Sequence, residues 1–280
     1  MLPYRPFRRH RKPRPWAVTA SQLYAPFNGL WRNLESCTPL WDLGGTSAKD
    51  IAPTKAARDR SIIALVGSLS WGEDQAGVCV PQGTSDAIGF TTNKFLLAAD
   101  RSVLWSGTIV AYPSSGTSWE WGLYDGGGGF LCILGVRADG TADFYDVTSG
   151  GVTIGGGVVP LGQPCTMVGV AKSGDLETLW LNGALVASTA VSTFLTAGLT
   201  MGALCHGLIG QYTARSIVRQ TMGAVWNRAL SPGEAQALSA DPFALIRPLR
   251  RFQSHPIAAG GGGSTGGGTG RRSFVPAIIG

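Results

Sequence analysis

Between Met222 and Glu234 the chain passes abruptly from one kind of local order to another. Met222, Ala224 and Trp226 alternate with their neighbours, which is the period of a strand with one face buried. At Ser231 that period is lost and a helix start replaces it. Ser231 is placed to accept from backbone N–H groups of the first turn, Pro232 suits the first helical position, and Glu234 stands three residues after the cap. This capping box predicts a short apolar helix, Ala235 to Leu238, stopped by Asp241-Pro242.

The rest of the chain supplies the sheets. Ser61–Trp71, Ala87–Thr92, Val103–Tyr112, Glu120–Tyr124, Phe130–Arg137 and Ala142–Val147 read as strands. So do Cys165–Ala171, Leu176–Leu181, Ala184–Ser188, Leu199–Leu204 and Ile217–Trp226. Asp139-Gly140 and Asn182-Gly183 each join two of these runs, and both dipeptides suit a type I′ turn, whose two central residues need positive φ. Glycine contributes 41 of 280 residues and charged residues only 14%, so turns are plentiful and amphipathic helices are not. An all-β sandwich of this length can stay a single domain. No apolar run approaches the roughly 18 residues that span a bilayer, so no membrane insertion is expected. The basic, proline-rich start has no apolar segment behind it and does not read as a secretory signal.

Charge is unevenly placed. Residues 1–16 carry Arg5, Arg8, Arg9, Arg11, Lys12 and Arg14 and no acid, giving +6. Residues 247–280 carry Arg247, Arg250, Arg251, Arg271 and Arg272 and no acid, giving +5. The whole chain is +6, so residues 17–246 sum to 6 − 6 − 5 = −5. A mildly acidic body therefore bears two basic arms. Pro3, Pro6, Pro13 and Pro15 keep the first arm extended, with Tyr4, Phe7 and Trp16 as apolar anchors. The second arm contains a nearly pure Gly/Ser/Thr run, 260–270, followed by the apolar Phe274, Val275 and Ile278. Such a run is a flexible tether, and an apolar peptide at its end is there to be buried.

Several segments, in order, resemble the laminin-G-like (concanavalin A-like) jelly-roll domains of tailed-bacteriophage virions. These are Gly29-Leu30-Trp31-Arg32, Trp41-Asp42-Leu43-Gly44-Gly45, Gly77-Val78-Cys79-Val80 and Thr108–Pro113. The hairpin Leu179–Val186, the strand Leu199–Gly202, the strand-to-helix segment 223–234 and the exit Asp241–Pro248 complete the set. The resemblance spans roughly residues 21–248 and reaches neither arm. It implies an antiparallel β-sandwich of jelly-roll type with one short C-terminal helix.

The residues that could carry chemistry are few. His206 is the one histidine outside the arms, and no G-x-S-x-G elbow accompanies it, so the residues do not assemble a hydrolase triad. A glycosidase would need carboxylates alternating on a strand, and Glu120, between Trp119 and Trp121, has no such partner. Glu120 reads instead as a solvent-facing residue, and no catalytic residue is assigned. For a structural calcium ion, Asp139 is explained by its turn, while Asp143 and Asp146 are three apart and face opposite ways. No clear ligand set results, and neither metal nor cofactor is assigned. Cys37, Cys79, Cys132, Cys165 and Cys205 lack metal or disulfide spacing and read as small buried hydrophobes. Gly261–Gly266 satisfies G-x-G-x-x-G, but without a strand before it or a helix after it the segment is linker. Trp119, Trp121 and Tyr124 form the candidate sugar-stacking set, although Trp119 and Trp121 on one strand face equally suit a core pair.

These readings predict three parts: a basic anchoring arm over 1–18, a laminin-G-like domain over 19–246, and a basic, Gly-rich tail over 247–280. The expected function is that of a non-enzymatic virion structural protein, assembled in the bacterial cytoplasm, that decorates capsid or tail. The alternative is a lectin-like adhesin for host polysaccharide. Partner-binding residues are expected at Arg5, Phe7, Arg8, Arg9, Arg11, Lys12, Arg14, Trp16, Phe274, Val275 and Ile278. Other virion proteins, including copies of the same chain, fit these arms better than nucleic acid does, because prolines and rings serve shape-specific docking.

Overall fold

Two strands, Arg101–Ala111 and Ile217–Trp226, lie side by side and are buried on both faces over most of their length. The computed structural model describes residues 28–40, 47–49, 52, 62–66, 70–71, 78–80, 87–90, 95–96, 99–125, 130–146, 152–190, 200–205 and 216–245. A four-residue helix, α1 (Asn28–Trp31), leads into β1 (Leu34–Pro39), β2 (Ser47–Lys49), β3 (Ile62–Val66), β4 (Ser70–Trp71), β5 (Val78–Val80) and β6 (Ala87–Phe90). Next come β7 (Phe95–Leu96), β8 (Arg101–Ala111), β9 (Thr117–Asp125), β10 (Phe130–Arg137), β11 (Thr141–Asp146) and β12 (Val152–Val158). The chain continues through β13 (Pro164–Ala171), β14 (Leu176–Leu181), β15 (Ala184–Ala190), β16 (Thr200–Cys205) and β17 (Ile217–Trp226). Helix α2 (Pro232–Ala240) and a 3-10 turn over Pro242–Leu245 follow.

The strands form two antiparallel sheets. One has eight strands in the order β15-β14-β13-β8-β17-β5-β4, with β1 also paired to β17. The other has nine, ordered β12-β11-β10-β9-β16-β6-β3-β2, with β7 also paired to β16. This is the antiparallel β-sandwich of jelly-roll type that the sequence implied.

Side-chain alternation builds two cores. Val103, Trp105, Met167, Leu179 and Val225 point from the eight-stranded sheet toward Trp121, Leu134 and Phe144 of the nine-stranded one. The opposite face of the eight-stranded sheet offers Leu104, Val168, Trp180, Met222 and Trp226 to Leu230, Ala235, Leu238 and Leu245. Helix α2 lies against β13, β14 and β15. Its capping box is formed as expected: Glu234 N–H donates to Ser231 Oγ at 3.3 Å, and Ser231 N–H donates to the Glu234 carboxylate at 2.9 Å.

The first and last described segments of the chain are clasped together. The indole N–H of Trp31 donates to the Leu245 carbonyl at 2.7 Å, and that of Trp226 to the Leu30 carbonyl at 2.6 Å. Arg228 donates to the carbonyls of Gly29 and Arg32 and pairs with Glu234 at 2.8 Å. Burial pushes the Glu234 carboxyl up, but Arg228 and Ser231 together outweigh it and hold the group below its ordinary value.

Two local expectations are corrected. Asn182 (φ 49°) and Gly183 (φ 85°) form the type I′ pair, but at the other hairpin only Gly140 is left-handed (φ 84°). There Ala138, Asp139 and Gly140 form a three-residue turn closed by Gly140 N–H to Arg137 O at 2.9 Å, and Asp139 accepts from Thr141 N–H. The run expected as one strand over 61–71 is instead β3 and β4, one in each sheet.

Candidate functional site

Both described helices pack against the eight-stranded sheet, which leaves the outer face of the nine-stranded sheet without helical cover among the described residues. What this face carries is decided by an irregularity in β9. Trp121 pairs with Leu134 and Trp119 with the next residue, Gly135, so Glu120 is an extra residue on the β9 side. Such a bulge interrupts the alternation of side chains. Trp121 turns inward, is 1% exposed and donates its indole N–H to the Ala224 carbonyl at 3.3 Å. Glu120 also turns inward, is 0% exposed, and accepts from Ser216 Oγ. Trp119 stays half-buried and outside that core. The expectations that the two tryptophans share a face and that Glu120 faces solvent are therefore corrected, and one bulge explains both.

On the outer face Trp119, Gly135, Asp143 and Gly155 form one row across β9 to β12. The absent side chain at Gly135 lets the indole lie over β10, where an added Cβ would stand 2.6 Å from Trp119 Cε3. The ring reaches toward Tyr145 of β11, with centroids 5.9 Å apart and planes tilted by 54°. One same-face position back along β11 is Asp143, 1% exposed. Its Oδ2 accepts from Arg137 Nε at 2.7 Å and from Thr117 Oγ1 at 3.1 Å, while its Oδ1 has no hydrogen-bond partner. Burial pushes the Asp143 carboxyl up; the bonds from Arg137 and Thr117 pull it back only in part. The Arg137 guanidinium is raised in turn by its bond to Asp143, and its side chain is 43% exposed. The arrangement can stack an apolar ring face and, beside it, both donate and accept hydrogen bonds.

Of the expected sugar-stacking set, Trp119 lies on this face, Trp121 belongs to the core, and Tyr124 is placed by backbone only, opposite Phe130 and Gly202. All expected partner-binding residues in the two arms, and His206, lie outside the described residues. Tyr145 and Arg137 were missed by sequence reasoning, and Asp143 was considered only for calcium. Their signal was alternation, since Thr141, Asp143 and Tyr145 occupy every second position of β11. Among the described residues no group of three or more His, Cys, Asp or Glu side chains is placed to hold a metal ion.

A second polar group sits between the sheets. Arg101 donates through Nε to Asp146 Oδ2 at 2.6 Å and through Nη2 to Oδ1, with both side chains 0% exposed. Asp143 and Asp146 do face opposite ways, as their spacing required. Burial draws the Arg101 guanidinium down, but Asp146 more than reverses this and keeps it protonated. Burial, then the Asp146 charge, pushes the neighbouring Cys132 thiol well up, so it is no nucleophile. Cys37, Cys132 and Cys165 form no disulfide and are buried, as expected of small hydrophobes.

No family model matches the sequence, and no curated protein does. Solved structures do match. The binding domain of Paraclostridial Mosquitocidal Protein 1 superposes with a TM-score of 0.58 at 13% identity, over 76% of this chain and 53% of that one. The Trypanosoma rangeli sialidase in complex with sialic acid gives 0.57 at 14% identity, over 76% and 34%. A mutant of HCR/D gives 0.56 at 9% identity, over 75% and 51%. The likeness is one of fold. The chain spans about half the length of the first and a third of the second.

Proposed function

We propose that this chain is a carbohydrate-binding module of a tailed-bacteriophage virion, held on the particle by its basic arms and presenting a lectin-like β-sandwich to a host polysaccharide. The observation that carries this reading is the outer face of the nine-stranded sheet, which among the described residues has no helix over it, with the half-buried Trp119–Tyr145 ring pair next to the Arg137–Asp143 ion pair. Exposed ring faces beside a few fixed polar groups are the usual means of sugar recognition, because a pyranose has an apolar face and a hydroxyl edge. Two fold neighbours are in keeping with a binding role: the binding domain of Paraclostridial Mosquitocidal Protein 1, and a sialidase in complex with sialic acid.

The binding role is not catalytic. Among the described carboxylates, Glu120, Asp146 and Glu177 are fully buried and cannot meet a glycosidic bond. The assignment to a virion rests on the phage-like segments and on the two basic arms around an acidic body. The points where the described domain begins and ends support it, because the clasp at Leu30 and Leu245 lies on the helix-covered side, away from the ring pair. Attachment and recognition would then use opposite sides of the sandwich. In this reading the arms dock on capsid or tail proteins, including other copies of the chain, and the protein resides in the virion.

The test is a glycan array probed with the full chain, which should retain at least one host surface glycan; a blank array would refute the binding role. Deleting residues 1–18 should release the protein from particles while the sandwich stays folded. Retained incorporation would refute the anchoring role.

A further inference from the structure

Two glycines decide what the outer face presents. The Trp119 indole lies over Gly135, its Cε3 2.6 Å from where a Cβ would stand. The Arg137 guanidinium lies over Gly155, with Nη2 at 3.0 Å and Cζ at 3.3 Å from the corresponding point. Both planar groups rest on the backbone, and a larger residue beneath either would displace it. Asp143 fills the rest of the space over Gly155, with Oδ1 at 2.5 Å, and is 1% exposed, so a ligand cannot reach it. Its part is to position: Oδ2 accepts from Arg137 Nε at 2.7 Å and so fixes how the guanidinium lies. The amino nitrogens of Arg137 have no acceptor among the described residues, and the side chain is 43% exposed.

A ligand therefore meets a fixed cationic donor beside two rings. Among neutral groups an amide carbonyl suits that donor best, since its oxygen has two lone pairs and no hydrogen of its own. A carboxylate would also accept, but charge opposes it. Arg137 is already neutralised by Asp143, Asp139 lies close enough to act on both, and the body of the chain is acidic. Beside the donor stand Tyr145, one same-face position along β11 from Asp143, and the indole that reaches it across β10. That step along the strand is about 7 Å, a span that one pyranose and a side group on it can bridge. The half-buried rings suit the apolar face of the sugar and a methyl group next to it. An acetamido group has both parts, a carbonyl for Arg137 and a methyl for the rings.

We infer that Trp119, Tyr145 and Arg137 form a subsite for an N-acetylhexosamine unit of an uncharged glycan, the pyranose stacked on the rings and the acetamido carbonyl accepting from the amino nitrogens of Arg137. Asp143 is a positioning residue. This inference rests on the carbohydrate-binding reading and names the ligand class that reading leaves open.

The test probes the full chain with an array of gluco-, galacto- and manno-configured oligomers, each as the hexose, the N-acetylhexosamine and the uronate. The best binder and its two counterparts are then titrated calorimetrically. The N-acetylated form should bind about tenfold or more tighter than the hexose of the same configuration, the worth of one hydrogen bond to a charged group. The uronate should not bind. Arg137→Lys keeps a cation for Asp143 but loses the planar fork, so it should remove the preference for the N-acetylated form and leave hexose binding unchanged. Trp119→Ala leaves the Arg137–Asp143 pair in place and should weaken both forms by about tenfold or more. A retained thermal transition shows that each variant is folded, and either serves if the other is not. Equal binding of both forms, or preference for the hexose or the uronate, would overturn the ligand class and leave the carbohydrate-binding reading standing. Binding of an N-acetylated glycan that neither variant weakens would overturn the subsite. No binding to any glycan would overturn both readings.

Discussion

Removing either partner of the Arg101–Asp146 pair should damage this fold far more than removing both. The two side chains are fully buried between the sheets and bonded through two donors. At an effective dielectric of about 20, a pair of unit charges about 4 Å apart is worth about 4 kcal/mol. Losing one partner leaves the other buried and unpaired, and such losses run at about 3–5 kcal/mol. For a domain of this size that lowers the melting temperature by roughly 6–20 °C. Replacing both residues by apolar ones of similar volume removes two desolvation penalties as well as the attraction, and should fall within about 1–2 kcal/mol of the wild type. The assay is a double-mutant cycle by urea denaturation with Arg101→Met, Asp146→Leu and the double variant. Arg101→Met should be the worse single variant, because Glu177 is buried close enough to act on the same Cys132 as Asp146 does. Single variants costing under about 1 kcal/mol, with an additive double variant, would refute the argument, because an exposed pair behaves in that way.

Four further outcomes follow from the packing. Gly223→Ala places a methyl group into the Trp121 ring across the sandwich, so it should cost about 1–3 kcal/mol in urea denaturation. Ser231→Ala should cost about 1 kcal/mol through the lost cap. Glu234 is held below its ordinary value, so its share of the clasp is complete above the normal glutamate range and is lost as pH falls through the depressed folded value. Glu234→Gln should flatten that acid limb of a melting-temperature profile. Gly183→Ala forces a Cβ onto a residue at φ 85° and to within 3.1 Å of Ala240, and should lose more than the roughly 1 kcal/mol that glycine-to-alanine exchange gains at compatible sites.

How far the sequence could be read depended on the range over which each feature is determined. The Asn182-Gly183 turn and the Ser231 cap are set by residues within four positions of one another, and both were legible. Asp139-Gly140 looked the same by composition, but Ala138 joins the turn and changes its type, which depends on where β10 stops pairing. Strand β12, with Gly155, Gly156 and Gly157, has little strand propensity and exists because β11 pairs with it. Strand β1 ends in Pro39 and carries Ser36 and Thr38 in the core, so tertiary packing overrides its composition. At the site, Trp119 was legible as an aromatic candidate. Its separation from Trp121 was not, because the bulge at Glu120 is a property of the β9–β10 register. Arg137, Asp143 and Tyr145 could not be grouped with Trp119 before the order of β9, β10 and β11 was known.

The clasp at Arg228 has a mechanical consequence. It joins Gly29 and Arg32, early in the described chain, to Glu234, late in it, while Trp31 reaches Leu245. A load drawn through one arm and out through the other would pass across this handful of bonds without pulling along β8 or β17. The clasp would open first, and the two sheets, with whatever they hold, would stay intact behind it.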